Sequence, residues 1–471
     1  MQNTVKEEID MLKKNDIVEL TVTSMSFEGL GVARYSDEEV KDFVVFIHNA
    51  VVGDIVDSKI VKVLTRYAYA IIDKIISPSP DRINSLCGSF PKCGGCTYLN
   101  VSYESELKYK HACVVEAFKK NYPKCEVTPK EVVPSPKVQN YRNKVQYPIS
   151  QDKKFGFYAR HSHRNVVIEK CHLQDQAFEK IIHIIEEYIK IYHVPVYNEK
   201  TGEGLIRHLY LRRAPSTGEI MVCIVINGKT LPHKEQLTTM VSSCEGVKSI
   251  CININLRRDN VILGRDSRVL WGEETITDEL CGFKFKISPL SFYQVNTYQA
   301  EQLYNYVTEN TGLKEDDIVL DLYCGIGTIS LAVSRKVNKV IGVEVIDSAV
   351  TNACENAVIN KIKNVEFYTS DVSNLKELFN NIPKMETPNV VIVDPPRKGL
   401  TERAIEAIKD INPEKIIYIS CNPATQSRDL SILNSEEHLY EVKEIMPFDM
   451  FPRTGHVECV AVLERKDIHH D

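Results

Sequence analysis

The sequence has no apolar stretch approaching the ~18 residues that a membrane-spanning helix requires. Its opening, MQNTVKEEIDMLKKND, mixes acids with lysines and has no apolar core to act as a secretion signal. Neither a membrane protein nor an exported one is expected, and the chain should stay in the cytoplasm. An excess of positive charge is also missing. Lys and Arg number 58 against 64 Asp and Glu, a net charge of -6. That balance argues against a protein coating nucleic acid over its whole surface and leaves room for one basic face. No internal repeat or low-complexity tract stands out. A composition of 43% hydrophobic and 26% charged residues belongs to a folded globular chain rather than a disordered or fibrous one. At 471 residues the chain exceeds what a single core supports, so two or three domains are expected.

Cysteine, by contrast, is plentiful, with 14 residues. In a chain without a secretion signal these do not read as a disulfide framework, because cytosolic thiols are kept reduced. Metal binding and nucleophilic chemistry become the questions.

Residues 15 to 77 read as short strands broken by glycines: Ile17–Val22, a turn at Phe27–Gly29, Val44–Ile47, a break at Gly53, then Ile55–Val63. This pattern predicts a small β-barrel. The segment Ser77-Pro-Ser-Pro-Asp81 favours an extended connector and marks a boundary. From about residue 314 strands and helices alternate. Ile318–Leu322, Lys339–Val343, Val365–Tyr368, Val390–Val393 and Lys415–Ser420 are apolar, partly β-branched runs, as buried parallel strands are. The expected layout is a barrel in 1–77, a central α+β domain in 78–290 and a doubly wound, Rossmann-like α/β domain in 291–471.

Asp321-Leu-Tyr-Cys-Gly-Ile-Gly-Thr328 falls where the first of those strands turns into a helix, and its glycines let the backbone approach a ligand closely. A dinucleotide fingerprint would need a third glycine where Ser330 stands. Glu344, ending the next strand, is placed to accept hydrogen bonds from ribose hydroxyls, and Asp371, after the third, is within reach of an adenine edge. Together they suit a nucleoside cofactor without a pyrophosphate. After the fourth strand comes Asp394-Pro-Pro-Arg-Lys-Gly399, a rigid turn that fixes a carboxylate at the ligand crevice. Amino-group methylases with a similar loop carry an aromatic residue where this chain has Arg397. The fifth strand ends in Ser420-Cys-Asn-Pro423, which puts Cys421 in the same crevice. A lone cysteine is more often a small buried apolar residue, but a thiol between a proline turn and a cofactor loop is placed for chemistry. In Gly455-His-Val-Glu-Cys-Val-Ala-Val462 the acid Glu458 interrupts an apolar strand, and a buried carboxylate needs a partner or a task. These parts suit methylation of a pyrimidine carbon. A thiolate adds to carbon 6, carbon 5 takes the methyl group, and a base removes the carbon-5 proton so that the thiolate can leave.

The Gln-Val-Asn, Asp-Pro-Pro-Arg and Ser-Cys-Asn-Pro motifs make nearly the whole chain resemble the RNA uracil-5-methyltransferase family. The resemblance implies Cys421 as nucleophile and Glu458 as base. It also implies S-adenosylmethionine as cofactor, held by Gln294 of Phe292-Tyr-Gln-Val-Asn296, Tyr323, Glu344 and Asp394, with Asp371 added from the reading above. The family's N-terminal barrel is an RNA-binding TRAM domain.

Cys87, Cys93 and Cys96 form a C-x5-C-x2-C cluster with glycines between, and three close thiols in a reducing compartment suggest a soft metal. Spacing alone leaves zinc open. The ribosomal RNA branch of the family carries a [4Fe–4S] cluster on matching cysteines, which makes Cys171 the fourth ligand ahead of Cys113 or Cys125, and 23S rRNA the expected substrate ahead of tRNA. A non-catalytic RNA-binding or chaperone protein would leave Cys421, Glu458 and the cofactor loop without a use. Between Tyr141 and Lys170 seven Lys and Arg (Arg142, Lys144, Lys153, Lys154, Arg160, Arg164, Lys170) stand against Asp152 and Glu169, interleaved with Tyr147, Phe155, Phe157 and Tyr158. This predicts an RNA face, with the aromatics turned either to bases or to the core. Arg207, Arg212 and Arg213 are expected to extend it. A monomer is expected, and His470 with the rest of the tail is taken as solvated.

Overall fold

The computed structural model describes residues 12–38, 41–382, 386–434 and 439–466; His470 lies outside them. They form two compact units, one from the chain up to Cys113 with Arg453–His456, the other from Val114–Pro452 and the chain after it from Val457.

The first unit holds a closed barrel of five strands in the order Ile17–Met25, Gly31–Tyr35, Phe43–His48, Tyr67–Ser77 and Ile55–Val63. Leu20 and Val22 point inward with the period of a strand, and an irregularity between Val22 and Ser24 brings Met25 inward instead of Ser24. The buried carboxylate of Asp54 is fully engaged. It accepts the Val51 N–H at 2.7 Å, the Ser79 N–H at 2.9 Å and the Arg82 guanidinium, as a buried charge must be. The Gly31 and Tyr67 strands escaped the sequence pattern. The second of them, YAYAIIDKIIS, alternates only over its first half.

The second unit contains two sheets. One has the order Asp266–Gly272, Val247–Ile254, Ile220–Ile226, Ile206–Arg213, Lys144–Pro148. Helices Ala177–Ile191 and Lys234–Ser242 cover one of its faces, burying Phe178, Ile181, Ile185 and Leu237 against Leu209, Val222 and Ile224. On the opposite face Tyr210, Met221, Cys223 and Cys251 join the core of the second sheet. Burial on both faces explains why the Ile220 strand is apolar at every position.

The second sheet has seven strands, ordered Val365–Thr369, Lys339–Glu344, Ile318–Leu322, Val390–Val393, Lys415–Ser420, Glu458–Arg465, Tyr440–Phe448. The first five are parallel; Glu458–Arg465 runs antiparallel between Lys415–Ser420 and Tyr440–Phe448, so that Tyr440–Phe448 runs in the direction of the first five. Strand order reverses between the Ile318 and Val390 strands, and a crevice for ligands forms outside the carboxyl ends at such a switch. The expected Rossmann-like class and barrel are observed. The edge strand Tyr440–Phe448 had not been foreseen.

Candidate active site

Three loops leave the carboxyl ends of adjacent strands. In the first, Tyr323, Gly325 and Gly327 all take left-handed backbone, with φ of 64°, 55° and 82°. A Cβ at Gly327 would lie 2.9 Å from the Phe367 ring, so glycine is required there. Glu344 is tied to this loop from the neighbouring strand, its Oε2 accepting the Gly325 N–H at 3.2 Å and its Oε1 the Ile346 N–H at 3.0 Å. Asp321 is buried beneath the loop. Its Oδ2 accepts the Ser330 hydroxyl, and burial pushes its carboxyl up to about 7. Among the described residues its Oδ1 has no hydrogen-bond partner, an unmet valence that a donor on a bound ligand would satisfy. Asp371 is exposed and caps the turn Val372–Asn374 through the Ser373 N–H at 2.8 Å.

The second and third loops are fastened to each other. Asn422 Nδ2 donates to the Arg397 carbonyl at 3.1 Å, and Thr425 Oγ1 donates to the same oxygen at 3.3 Å. Asp429, buried on helix Pro423–Leu433, accepts the Leu400 N–H and the Tyr418 hydroxyl, both at 2.7 Å. Asp394-Pro-Pro-Arg397 and Cys421 therefore share one rigid support. Asn422 caps that helix and Pro423 opens it, which places Cys421 at a helix N-terminus.

Glu458 reaches Cys421 through strand pairing. Ser420 lies opposite Cys459 in the antiparallel pair, and one further step of that register sets Cys421 against Glu458. Their electrostatics agree with that placement. Burial, then the Glu458 charge, pushes the Cys421 thiol up to about 11, while the Arg397 guanidinium hydrogen-bonds the thiol and pulls the other way. Burial, then the charge of Asp394, holds Glu458 well above the usual carboxylate range, again opposed by Arg397. Burial raises Asp394 too. A thiol, two carboxyls of raised proton affinity and one guanidinium thus converge, a set able to add sulfur to an electrophilic ring carbon and, with a carboxylate ionised, to accept a carbon-bound proton. Cys324 is different. It is buried in the first loop, where a Cβ on Gly342 would approach its sulfur to 3.0 Å.

Gln294 lies in the loop before helix Thr297–Asn310 and is nearly buried, its carbonyl accepting Asn143 Nδ2 at 2.9 Å. Two neighbours were not singled out for roles from sequence. Arg397 had been noted only as the replacement for an aromatic, and Phe292, two residues before Gln294, is 63% exposed, an unusual setting for a large apolar ring beside a polar site. Both fall inside the motifs, which is the signal that could have found them.

In the basic segment three of the aromatics take the core alternative, while Lys154, Arg164 and Lys170 are exposed. Tyr147 and Phe155 are core residues, and Phe157 packs on the same cluster, so none of these three rings is turned outward to stack on bases. Lys144 is pushed down to about 7 by burial and then by the charges of Arg212 and Arg142. Arg212 is buried, donating to the Ser291 carbonyl at 3.1 Å, and Arg213 is paired with Asp175. Arg212 therefore does not extend an exposed surface, Arg207 is nearly enclosed, and Arg213 is only partly covered. Arg207, Arg212 and Arg213 lie on a strand buried on both faces, which sequence charge alone does not disclose.

Cys87, Cys93 and Cys96 occupy a run of turns in the first unit, and Cys171 lies in the second; all four are half-buried. Among the described residues no three His, Cys, Asp or Glu side chains are grouped so that they could hold a metal ion. Nor is any described helix long and apolar enough to cross a membrane.

A doubly wound sheet with a left-handed glycine loop and acids at its strand ends defines the class of S-adenosylmethionine-dependent methyltransferases. The crystal structure of the Pyrococcus abyssi tRNA (uracil-54, C5)-methyltransferase with S-adenosyl-L-homocysteine superposes with a TM-score of 0.76 at 28% identity, over 94% of this chain and 99% of that one. Uncharacterized RNA methyltransferases of Clostridium tetani and Clostridium acetobutylicum are 41% and 40% identical, over 96% and 98% of this chain and 97% and 100% of theirs. The profile of the tRNA (uracil-5-)-methyltransferases matches residues 102–466, and that of the TRAM domain residues 12–72. The chain belongs to the tRNA (uracil-5-)-methyltransferase family and is an S-adenosylmethionine-dependent RNA (uracil-5-)-methyltransferase.

Proposed function

We propose that the enzyme methylates carbon 5 of one specific uridine in 23S ribosomal RNA through a covalent bond between Cys421 Sγ and carbon 6 of the base. The observation that carries this reading is the register that sets Cys421 against Glu458, with Arg397 and Asp394 beside them. Carbon 5 of uracil is too weak a nucleophile until sulfur has added at carbon 6. Arg397 favours the thiolate against burial. The Sγ–C6 bond forms, electron density moves to carbon 5, and carbon 5 takes the methyl group. Bound S-adenosylmethionine supplies that methyl group on an electrophilic sulfonium. Glu458 then takes the carbon-5 proton, the C5–C6 double bond reforms and the C6–S bond breaks, releasing the thiolate. A carboxyl raised by burial holds such a proton well.

Gln294, Tyr323, Glu344, Asp371 and Asp394 would hold the cofactor, Glu344 at the ribose hydroxyls, Asp371 at the adenine edge and Asp394 between cofactor and base. The left-handed loop and the unpartnered Asp321 oxygen fit a close-lying ligand with donors of its own.

Cys87, Cys93, Cys96 and Cys171 would hold a [4Fe–4S] cluster. The chemistry of the donor set supports this: four soft thiol ligands, with Gly95 N–H donating to Cys93 Sγ at 3.4 Å, as backbone amides do toward cluster sulfur. Such a cluster would close its loop rigidly, and no step of the methyl transfer would need it. Anaerobically prepared protein should be brown with about four irons per chain, and Cys87→Ser or Cys171→Ser should bleach it; zinc without iron would overturn the assignment. The enzyme would act in the cytoplasm as a monomer.

The central experiment uses labelled RNA on a denaturing gel. Glu458→Gln should stall as a methylated protein–RNA adduct, whereas Cys421→Ala and the double variant should give none. Normal turnover by Glu458→Gln would place the base elsewhere. A tRNA substrate is the second reading, favoured by the similarity to the archaeal tRNA enzyme. Mapping 5-methyluridine in 23S rRNA and tRNA from cells with and without the gene decides between them.

A further inference from the structure

The central sheet of the second unit carries a cleft of about 990 Å³ lined by none of the residues assigned to the Cys421 crevice. Its size is at the upper end of the roughly 300–1,000 Å³ of ligand sites. Its innermost groups are Arg207 and His208, each only 6% exposed. Arg207 is immobilised: Nη1 donates to the carbonyls of Asn255 at 2.8 Å and Arg257 at 2.6 Å, and the guanidinium lies 4.5 Å from the centre of the Tyr197 ring. Among the described residues its Nε has no hydrogen-bond partner, and neither has Nδ1 of His208. Buried polar atoms are rarely left in that state. Burial, then the Arg207 charge, pushes His208 down to about 4, so its ring is neutral and can donate or accept.

The rim differs in charge from the interior. Its acids are engaged, Glu199 by the Tyr158 hydroxyl at 2.7 Å and His163 Nδ1 at 2.9 Å, and Asp259 by Arg257. Lys200 and Arg258 also line the cleft, and among the described residues neither has a carboxylate partner. The Arg258 guanidinium lies over Gly202, where a Cβ would meet its Nη2 at 2.8 Å. An inner set of unpaired base-edge partners beside an arginine-stacked ring, with exposed cations outside, matches a nucleotide whose base is splayed inward and whose phosphate stays at the rim.

We propose that this cleft binds a nucleotide of the substrate RNA other than the one methylated, its base against Arg207, His208 and Tyr158 and its phosphate between Lys200 and Arg258. The proposal rests on the enzyme's acting on RNA but not on which uridine is modified or by what mechanism.

The test compares the full-length wild type with a Lys200→Ala/Arg258→Ala double variant, whose heads are exposed and outside the catalytic machinery. Affinities for fluorescein-labelled in vitro transcripts of 23S rRNA and of tRNA are measured across a salt series. The variant should bind the transcript that the wild type prefers about tenfold more weakly, with a log–log salt slope shallower by about 1 to 2. KM for RNA should rise while kcat at saturating RNA stays within about twofold and affinity for S-adenosylmethionine is unchanged. Equal affinity and equal slope would overturn the proposal. So would binding of free UMP in the cleft that leaves RNA binding undisturbed, since the occupant would then be a free nucleotide. A wild type that binds RNA but forms no adduct counts against the Cys421 mechanism alone, because the affinity measurement does not depend on turnover.

Discussion

The crevice around Cys421 and the segment from Tyr141 to Lys170 were both rich in chemically suggestive residues, yet the crevice gathers its residues into one site, whereas of the segment's aromatics Tyr158 alone lines a cleft. In the crevice each acting side chain stands at the end of a strand or in the loop just beyond it, and the sheet order alone brings those ends together. In the segment, tyrosines, phenylalanines and basic residues lie along and between strands, where one register step decides between core and solvent. Tyr147 and Phe155 went to the core. Motifs at strand ends thus report geometry, whereas charge and aromatic content within strands report only composition.

The comparison breaks most visibly at Phe155. Its replacement by Ala should cost about 3–5 kcal/mol of stability, the usual consequence of emptying an aromatic site in a core, while folded protein keeps its RNA affinity. Urea unfolding together with RNA titration checks this. Undiminished stability with weakened RNA binding would restore an outward, base-stacking role for the ring.

Within the crevice, Glu344→Ala should weaken S-adenosylmethionine binding by roughly 1.5–3 kcal/mol if the carboxylate receives ribose hydroxyls. The same carboxylate also holds the Gly325 and Ile346 amides, so Glu344→Gln, which keeps an acceptor, should recover part of the loss. Calorimetry with both variants separates them, and wild-type affinity in Glu344→Ala would remove the ribose role.

The smallest expected effect concerns Arg397. With the Cys421 thiol near 11 in the ligand-free protein, alkylation of that residue by iodoacetamide, followed by mass spectrometry, should accelerate steadily from pH 7 to pH 10 without levelling off. The guanidinium favours the thiolate, so Arg397→Gln should raise the thiol further and slow labelling at each pH by about three- to tenfold. Unchanged rates would show that the guanidinium does not act on the sulfur.

Much of the fold could be read in advance because parallel strands buried on both faces are continuous apolar runs. Ile318–Leu322, Val390–Val393 and Lys415–Ser420 were placed to the residue. Tyr440–Phe448 was not, since YEVKEIMPF carries charged residues on an edge strand. Glu458 drew attention as an acid in an apolar run. Its approach to Cys421 was not legible, because that depends on an antiparallel pairing between segments nearly forty positions apart in the chain.

By itself the sequence determined the residue types of the chemistry and the order of the strands that carry them, since hydrophobic period and turn composition are local properties. Tertiary structure alone decided that Arg397 faces the thiol, that Asp429 fastens the two catalytic loops, that Arg212 is a buried strut and that Arg207 and His208 floor a second cleft. Each of these depends on which face of a strand is covered and by what, and side-chain direction is settled only when the sheets pack.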